Sequence, residues 1–283
     1  MKGVAGLLGV VAGCAAGAFA ACSSFEAEPE RDADAAVVAD AATASDASPP
    51  LDAPPGDAPT APCLPPPVSF VPDSGLPPPP GWFFSGEAKA QSSFVVLTTE
   101  NGSRAGAVFW DKRIDLRDGE LAIRFFFQLV DAPPPAEGFA VVWLSGGSVP
   151  PSVGPGGNQL GILQRTGAAL VLDTSSAAVG DGGLDPLGTP FFAVATTSRR
   201  PPLWFSGAKA TAIDGAWHEL NVLLSGKTIT AEIDGSPTIQ ANAPEDMPKL
   251  GYLGFTAATG TNATEHRIRD VQVRGMNVGC ATP

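Results

Sequence analysis

The chain has 283 residues, a formal net charge of −12 and a pI near 4.5; 44% of it is hydrophobic and only 16% charged. That balance excludes a nucleic-acid partner, because proteins that grip a phosphate backbone carry a basic footprint. The first segment, residues 1–21, opens with Lys2 and runs apolar and small-residue-rich from Gly3 to Ala21. This is the make-up of a secretory signal peptide and is set aside from the fold. A transmembrane anchor is the other reading, since the stretch approaches the ~20 residues that span a bilayer.

Phe19-Ala20-Ala21-Cys22-Ser23-Ser24 resembles a bacterial lipobox, in which cleavage precedes a Cys that then carries lipid. Val11-Ala12-Gly13-Cys14 resembles one too, but an apolar run follows Cys14, whereas polar sequence begins directly after Cys22. Cys22 is therefore the expected lipidation site, and its acyl chains the expected membrane partner. The expected location is the cell envelope, at the outer membrane or the cell surface.

Residues 22–62 hold nine carboxylates against Arg31 alone, in a run of Ala, Pro, Ser and Thr with almost no aromatic residues. Such a segment buries too little apolar surface to offset its ordering entropy, so it reads as a disordered acidic linker. Residues 63–283 read as one domain, and that length suits a single all-β sandwich of about 200–250 residues. Cys63 opens the domain and Cys280 nearly closes it. In an exported protein an even pair of this kind reads as a disulfide joining the two ends.

From Trp82 onward, short Val-, Ile-, Phe- and Thr-rich runs alternate with Gly, Pro and Asp turns, the pattern of antiparallel sheets packed face to face. Strands are predicted at 94–98, 105–110, 121–130, 139–144, 159–163, 168–173, 191–196, 217–224, 228–233, 238–240, 250–256 and 267–274. A small-residue turn is predicted over Ala257–Gly260. Asp234-Gly235 marks a tight turn.

Several segments, in order, resemble one family. "GEAKAQSSFVVLTTENGSRAGAVFW" (86–110) fits its opening strands, and "AEGFAVVWLSGG…GGNQLGIL" (136–163) its Gly-flanked strand and Gly-rich loop. "AALVLDTSSAAVGDGGLDP" (168–186) is similar to its metal loop. "LGFTAATGTNATEHRIRDVQV" (253–273) is the nearest match. The family is the L-type (legume-like) lectins, and the hairpin after Trp217 also resembles laminin-G-like domains of the same architecture. The resemblance implies an all-β, antiparallel β-sandwich of the concanavalin A-like jelly-roll type.

It also implies a sugar site on loops at one end of the sandwich. There an acidic residue accepts sugar hydroxyls, a Gly-loop amide and an Asn donate, an aromatic ring stacks, and calcium with a transition metal locks the loops. The counterparts in this chain are Glu137, where the family has Asp, Gly156 or Gly157 for the amide, and Thr261 with Asn262 in the bordering loop. Asp173 and Asp185 match two metal-ligand carboxylates, with Asp181 a further oxygen donor, and calcium is the ion that hard oxygen ligands suit. The remaining pattern is broken. Val171, Ala177 and Pro190 stand where the family has an acid, an Asn and a His, which removes the transition-metal site. Only Ser175 or Ser176 occupies the place of the stacking ring.

Three classes of function compete. The favoured one is non-catalytic binding of a glycan at the cell envelope. The second is a structural or protein-adhesion sandwich whose sugar site has degenerated. The third, a glycan hydrolase, needs paired carboxylates about 5–10 Å apart, for which Glu232-Ile233-Asp234 offers only a superficial start. His218 and His266 read as structural and the five Trp mostly as core, with Trp204 the best exposed candidate for a sugar platform.

Overall fold

A computed structural model of the chain describes residue 64 and residues 80–91, 93–117, 119–130, 137–175, 190–198, 204–209, 214–225 and 227–280, with backbone alone at 158, 204–209 and 280. Cys14, Cys22, Cys63, Asp181 and Asp185 lie outside the described residues. In chain order the strands are β1 (Trp82–Gly86), β2 (Lys89–Gln91), β3 (Phe94–Thr98), β4 (Ala105–Trp110), β5 (Ile114–Asp115), β6 (Glu120–Val130), β7 (Gly138–Leu144) and β8 (Gly167–Asp173). They continue with β9 (Phe191–Thr196), β10 (Trp204–Lys209), β11 (His218–Ser225), β12 (Thr228–Ile233), β13 (Ser236–Asn242), β14 (Leu250–Ala258), β15 (Glu265–Met276) and β16 (Gly279–Cys280).

All of the described pairings are antiparallel, and they build two sheets. One runs β1-β4-β14-β7-β8-β9-β10, with β5 and β16 attached beside β14; the other runs β13-β12-β11-β6-β15-β3-β2. The inner faces meet in one core, in which Phe125 and Phe255 pack edge to face with their ring centres 4.9 Å apart. Each such fully buried aromatic contributes about 1.5–3 kcal/mol relative to exposure.

The two sheets differ in what covers their outer faces. Along β6 burial alternates residue by residue, as it does in a strand with one face to solvent. Along β7, β8 and β9 every residue is buried. The second face of these strands is covered by the segment between β7 and β8, whose Leu160 and Ile162 pack with Ala140, Val142, Ala169 and Tyr252.

That covering segment corrects one expectation: 159–163 is no strand. Residues Gly157–Gln159 form a single 3₁₀ turn, Leu160 takes a left-handed conformation at φ 53°, and Gly161 has φ 69°. The apolar residues here are buried because they form the sheet's lid, so hydrophobicity without alternation misled the reading. A second correction concerns Ala257 and Ala258. They continue β14, paired with Gly106 and Ala105 on one side and with Phe139 and Gly138 on the other, and the turn starts only at Thr259.

Candidate functional site

The register of the larger sheet lines up four chain ends. At the start of β7, Gly138 is opposite Ala258, the last residue of β14, and opposite Asp173, the last residue of β8. Ala258 in turn pairs with Ala105, the first residue of β4. Arg104, Glu137, Thr174 and Thr259, the residues next to these strand ends, therefore lie at one edge of the sheet.

Glu137 immediately precedes β7 and is 8% exposed. Its carbonyl accepts the Thr174 N–H at 3.0 Å, which ties it to the segment leaving β8. Its carboxylate lies on the other neighbour: a Cβ built on Gly260 would fall 2.0 Å from Glu137 Oε1. Glycine at 260 is thus the residue that lets the carboxylate pass. On the far side of the same loop the Gly157 N–H donates to Thr259 O at 3.3 Å. Gly156, in extended conformation, abuts the Arg104 carbonyl. Of the two expected amides, that of Gly157 therefore has a partner inside the fold. Thr261 is exposed and Asn262 half-buried at the tip of the loop. The structure brings Glu137, Gly156, Gly157 and the 259–262 loop to one end of the sandwich.

One wall of this end was missed in the sequence. The loop 99–104 is bound to the 259–260 turn by a set of hydrogen bonds. Ser103 N–H donates to Gly260 O (2.7 Å) and Thr259 N–H to Arg104 O (2.9 Å). Arg104 N–H donates to Thr259 Oγ1 (3.0 Å), and that hydroxyl donates to Asn101 O (2.7 Å). Asn101-Gly102 signals a turn, and Ser103 takes φ 57°, but nothing local in the sequence says which distant segment the turn meets.

Asp173 is 7% exposed, and its Oδ1 accepts the Ser175 N–H at 3.1 Å. Ser175, the expected stand-in for a stacking ring, is itself buried. Asp185, the other expected metal ligand, is outside the described residues. Among the described residues no three His, Cys, Asp or Glu side chains cluster as a metal site would need. Calcium takes six to eight oxygen ligands, and of the expected carboxylates only Asp173 lies among the described residues.

At the same end of the sandwich, on the smaller sheet, His218 bridges two acids. Its Nδ1 is 2.7 Å from Asp234 Oδ2 and its Nε2 2.8 Å from Asp214 Oδ1. Burial of the ring opposes its charge, but the hydrogen bonds to Asp234 and Asp214 outweigh this and raise its pKa above the ordinary histidine value. The His218 hydrogen bond holds the Asp234 carboxyl below its usual range. Asp234 also accepts the Glu219 N–H (2.9 Å) and sits at φ 49° in the β12–β13 turn, so Glu232-Ile233-Asp234 is a hairpin end. Trp82, Trp110 and Trp143 are buried in the fold, whereas Trp217 is half-buried under the Arg269 guanidinium, 4.3 Å from its ring centre.

No protein-family profile matches this chain, and no curated protein matches it in sequence. Solved structures do match. The VIP36 exoplasmic/lumenal domain in its Ca2+/Man-bound form is similar at 17% identity and TM-score 0.59, over 76% of this chain and 95% of that one. Lectin I-B4 from Griffonia simplicifolia, metal-free, is similar at 17% and TM-score 0.59, over 69% and 93%. The lectin from Bauhinia forficata in complex with GalNAc is similar at 19% and TM-score 0.58, over 70% and 93%. The fold is accordingly the concanavalin A-like jelly roll of the L-type lectins, and at these identities the fold is what is shared.

Two outcomes follow from this geometry. Gly260→Ala is expected to lower stability by about 1–3 kcal/mol, the usual cost of overpacking, because its methyl group meets the Glu137 carboxylate. In a Glu137→Ala background the same substitution is expected to cost much less; equal costs in the two backgrounds, by urea titration, would remove the contact. The second outcome concerns pH. Charged His218 adds stability that is complete below about pH 6.5 and is lost as pH rises through its raised folded value. The Asp214 and Asp234 contributions are present above about pH 3.8 and are lost as pH falls through their lowered folded values. His266, buried and held neutral, acts in the opposite sense to His218, so the test is a difference. The stability gap between wild type and His218→Gln is expected to be widest at about pH 5.5 and to narrow toward about pH 8.5; a gap independent of pH would contradict the assignment.

Proposed function

We propose that this domain binds a glycan without transforming it. The observation that carries the reading is the meeting of Glu137, Gly156 and the Thr259–Asn262 loop at one end of a sandwich whose structural neighbours include lectins solved with Man and GalNAc. The chemistry suits a sugar. A carboxylate accepts hydroxyl hydrogen bonds, and charge-assisted bonds of this kind are about twice as strong as neutral ones. The Asn262 amide and the Gly156 N–H supply donors, and a neutral polyol asks for no basic surface. Glu137, one methylene longer than Asp, reaches its place by lying over Gly260.

Calcium enters this reading at Asp173 and Asp185. A glycan array probed with the 63–283 domain as part of the mature protein, with and without EDTA, tests both. Binding to a defined set of glycans is expected, and Glu137→Gln and Asn262→Ala are each expected to weaken it by tenfold or more. Signal at background across the array would refute the glycan reading. Loss on chelation with recovery in calcium supports the ion, and binding indifferent to EDTA removes it.

The adhesion alternative is favoured by one observation: Val171 is fully buried and Ser175 nearly so, where the lectin pattern would place an acid and a ring. A background array together with capture of a protein partner through the same rim would bring that reading forward.

We further propose that the protein is exported and held at the cell envelope by lipid on Cys22, with Cys63 and Cys280 joined. Two features support the disulfide. Leu64, next to Cys63, packs on the core and would meet a Cβ placed on Gly275 at 2.9 Å, and Val278 lies at the same spot. Cys280 follows two residues later on β16. The intact mass of protein extracted from membranes is expected to match a chain beginning at Cys22, acylated and short of one pair of hydrogens. A mass without acyl groups would refute the anchor, and a mass with both hydrogens present would refute the disulfide.

A further inference from the structure

Thr98, Thr264 and His266 form a buried polar strut beneath the loop that carries Asn262, and nothing in the binding chemistry above uses it. Thr98 ends β3 and His266 stands at the start of β15; they are 0% and 1% exposed. The pairing of these strands shifts register between His266 and Arg267, which sets Thr98 opposite His266. Thr98 Oγ1 is 2.5 Å from His266 Nδ1 and donates to the Thr264 carbonyl at 3.2 Å.

The donors and acceptors can be assigned by counting. A hydroxyl has one proton. If Thr98 gives it to Thr264 O, then His266 must hold its proton on Nδ1 and donate to Thr98. Its Nε2 is then a bare acceptor, and among the described residues Nε2 has no partner. The opposite tautomer would bury an orphaned N–H and also give up the Thr98–Thr264 hydrogen bond. Orphaned buried donors are rarer than under-used acceptors, so the Nδ1–H form is the one that fits. Burial reinforces this by keeping the ring neutral, its pKa pushed down to about 3.

A polar trio in this place needs a reason, because apolar groups of the same shape fill a buried site at least as stably. The reason is positional. The 259–264 loop is held at one end by Thr259, whose backbone and hydroxyl bind the 101–104 loop, and at the other by the Thr264 carbonyl. Thr259 and Thr264 are both buried, and only the tip between them reaches solvent. Backbone fixed at both ends is pre-organised, and pre-organised donors lower the ordering cost of binding.

We infer that His266 is a positioning residue for ligand binding: acting through the Thr98 hydroxyl, it fixes the Thr264 carbonyl and so holds Asn262 in place against the Glu137 end of the site. The inference rests on the reading of this rim as a glycan site, and its test separates the two.

In the mature protein, Thr98→Val removes the hydroxyl and keeps the shape, while Thr98→Ser restores the hydroxyl. Amide hydrogen exchange at 260–264 is expected to speed up about tenfold or more in Thr98→Val, with β7 and β14 unchanged, and to return toward wild type in Thr98→Ser. Affinity for a glycan that the wild type binds is expected to follow the same pattern. Unchanged exchange in the loop, or a loosened loop with unchanged affinity, would overturn the inference. Should Thr98→Val speed exchange throughout the core, nitrogen-15 NMR of wild-type His266 decides. An Nδ1–H ring that does not titrate between about pH 5 and 8 is expected; an Nε2–H ring or a titrating one would overturn it. If the wild type binds no glycan, the function proposal fails by itself, and exchange and tautomer still decide whether the strut exists.

Discussion

The site depends on one pairing: β7 is hydrogen-bonded between β8 and β14 in a register that puts Gly138 opposite both Asp173 and Ala258. Antiparallel register is set in steps, and a slip of one residue would turn every side chain of β7 to the opposite face. Both faces of β7 are buried, one by the smaller sheet and one by the covering segment with Leu160 and Ile162. A slip would therefore disturb two packed layers at once. The stability of the core thus fixes where Glu137 emerges, and function inherits its geometry from packing.

What the rim adds to this is close approach. Gly260 has no side chain where the Glu137 carboxylate lies, and Gly138, at φ 124°, runs so near the neighbouring strand that a Cβ would fall 2.0 Å from Leu172 O. These two glycines let an acidic side chain be drawn into a tight junction of three strand ends. The loops around it are held by backbone and hydroxyl bonds more than by ion pairs. The Arg104–Glu87 pair near the rim is exposed at 3.4 Å, and such pairs contribute little. The buried hydroxyls of Thr98 and Thr259 each bond to backbone there.

Much of the architecture was legible because period-two patterns and turn residues report local physics. The runs at 94–98, 105–110, 191–196 and 228–233 are strands to the residue. The segment 159–163 misled because a buried lid is as apolar as a buried strand, and composition does not distinguish them. β2, β5 and β16, two or three residues each, were invisible because so short a pairing is decided by its neighbours. That Glu137, the glycine pair and the loop of Asn262 lie at one end of the sandwich was anticipated through ordered resemblance. The 99–104 loop and the Thr98–His266 contact were not, because each joins residues more than 150 positions apart. The partner of the Gly157 amide, Thr259 O, was equally out of reach, because it belongs to a loop about a hundred residues downstream.

The most direct measurement is a backbone NMR titration of the mature protein with a glycan drawn from the array. Shifts concentrated on the loops at 101–104, 137–138, 156–157 and 259–262, moving together with one dissociation constant, are the predicted result. Shifts confined to the outer face of the smaller sheet, around Arg124, Phe126 and Trp217, would contradict the account and move the site elsewhere.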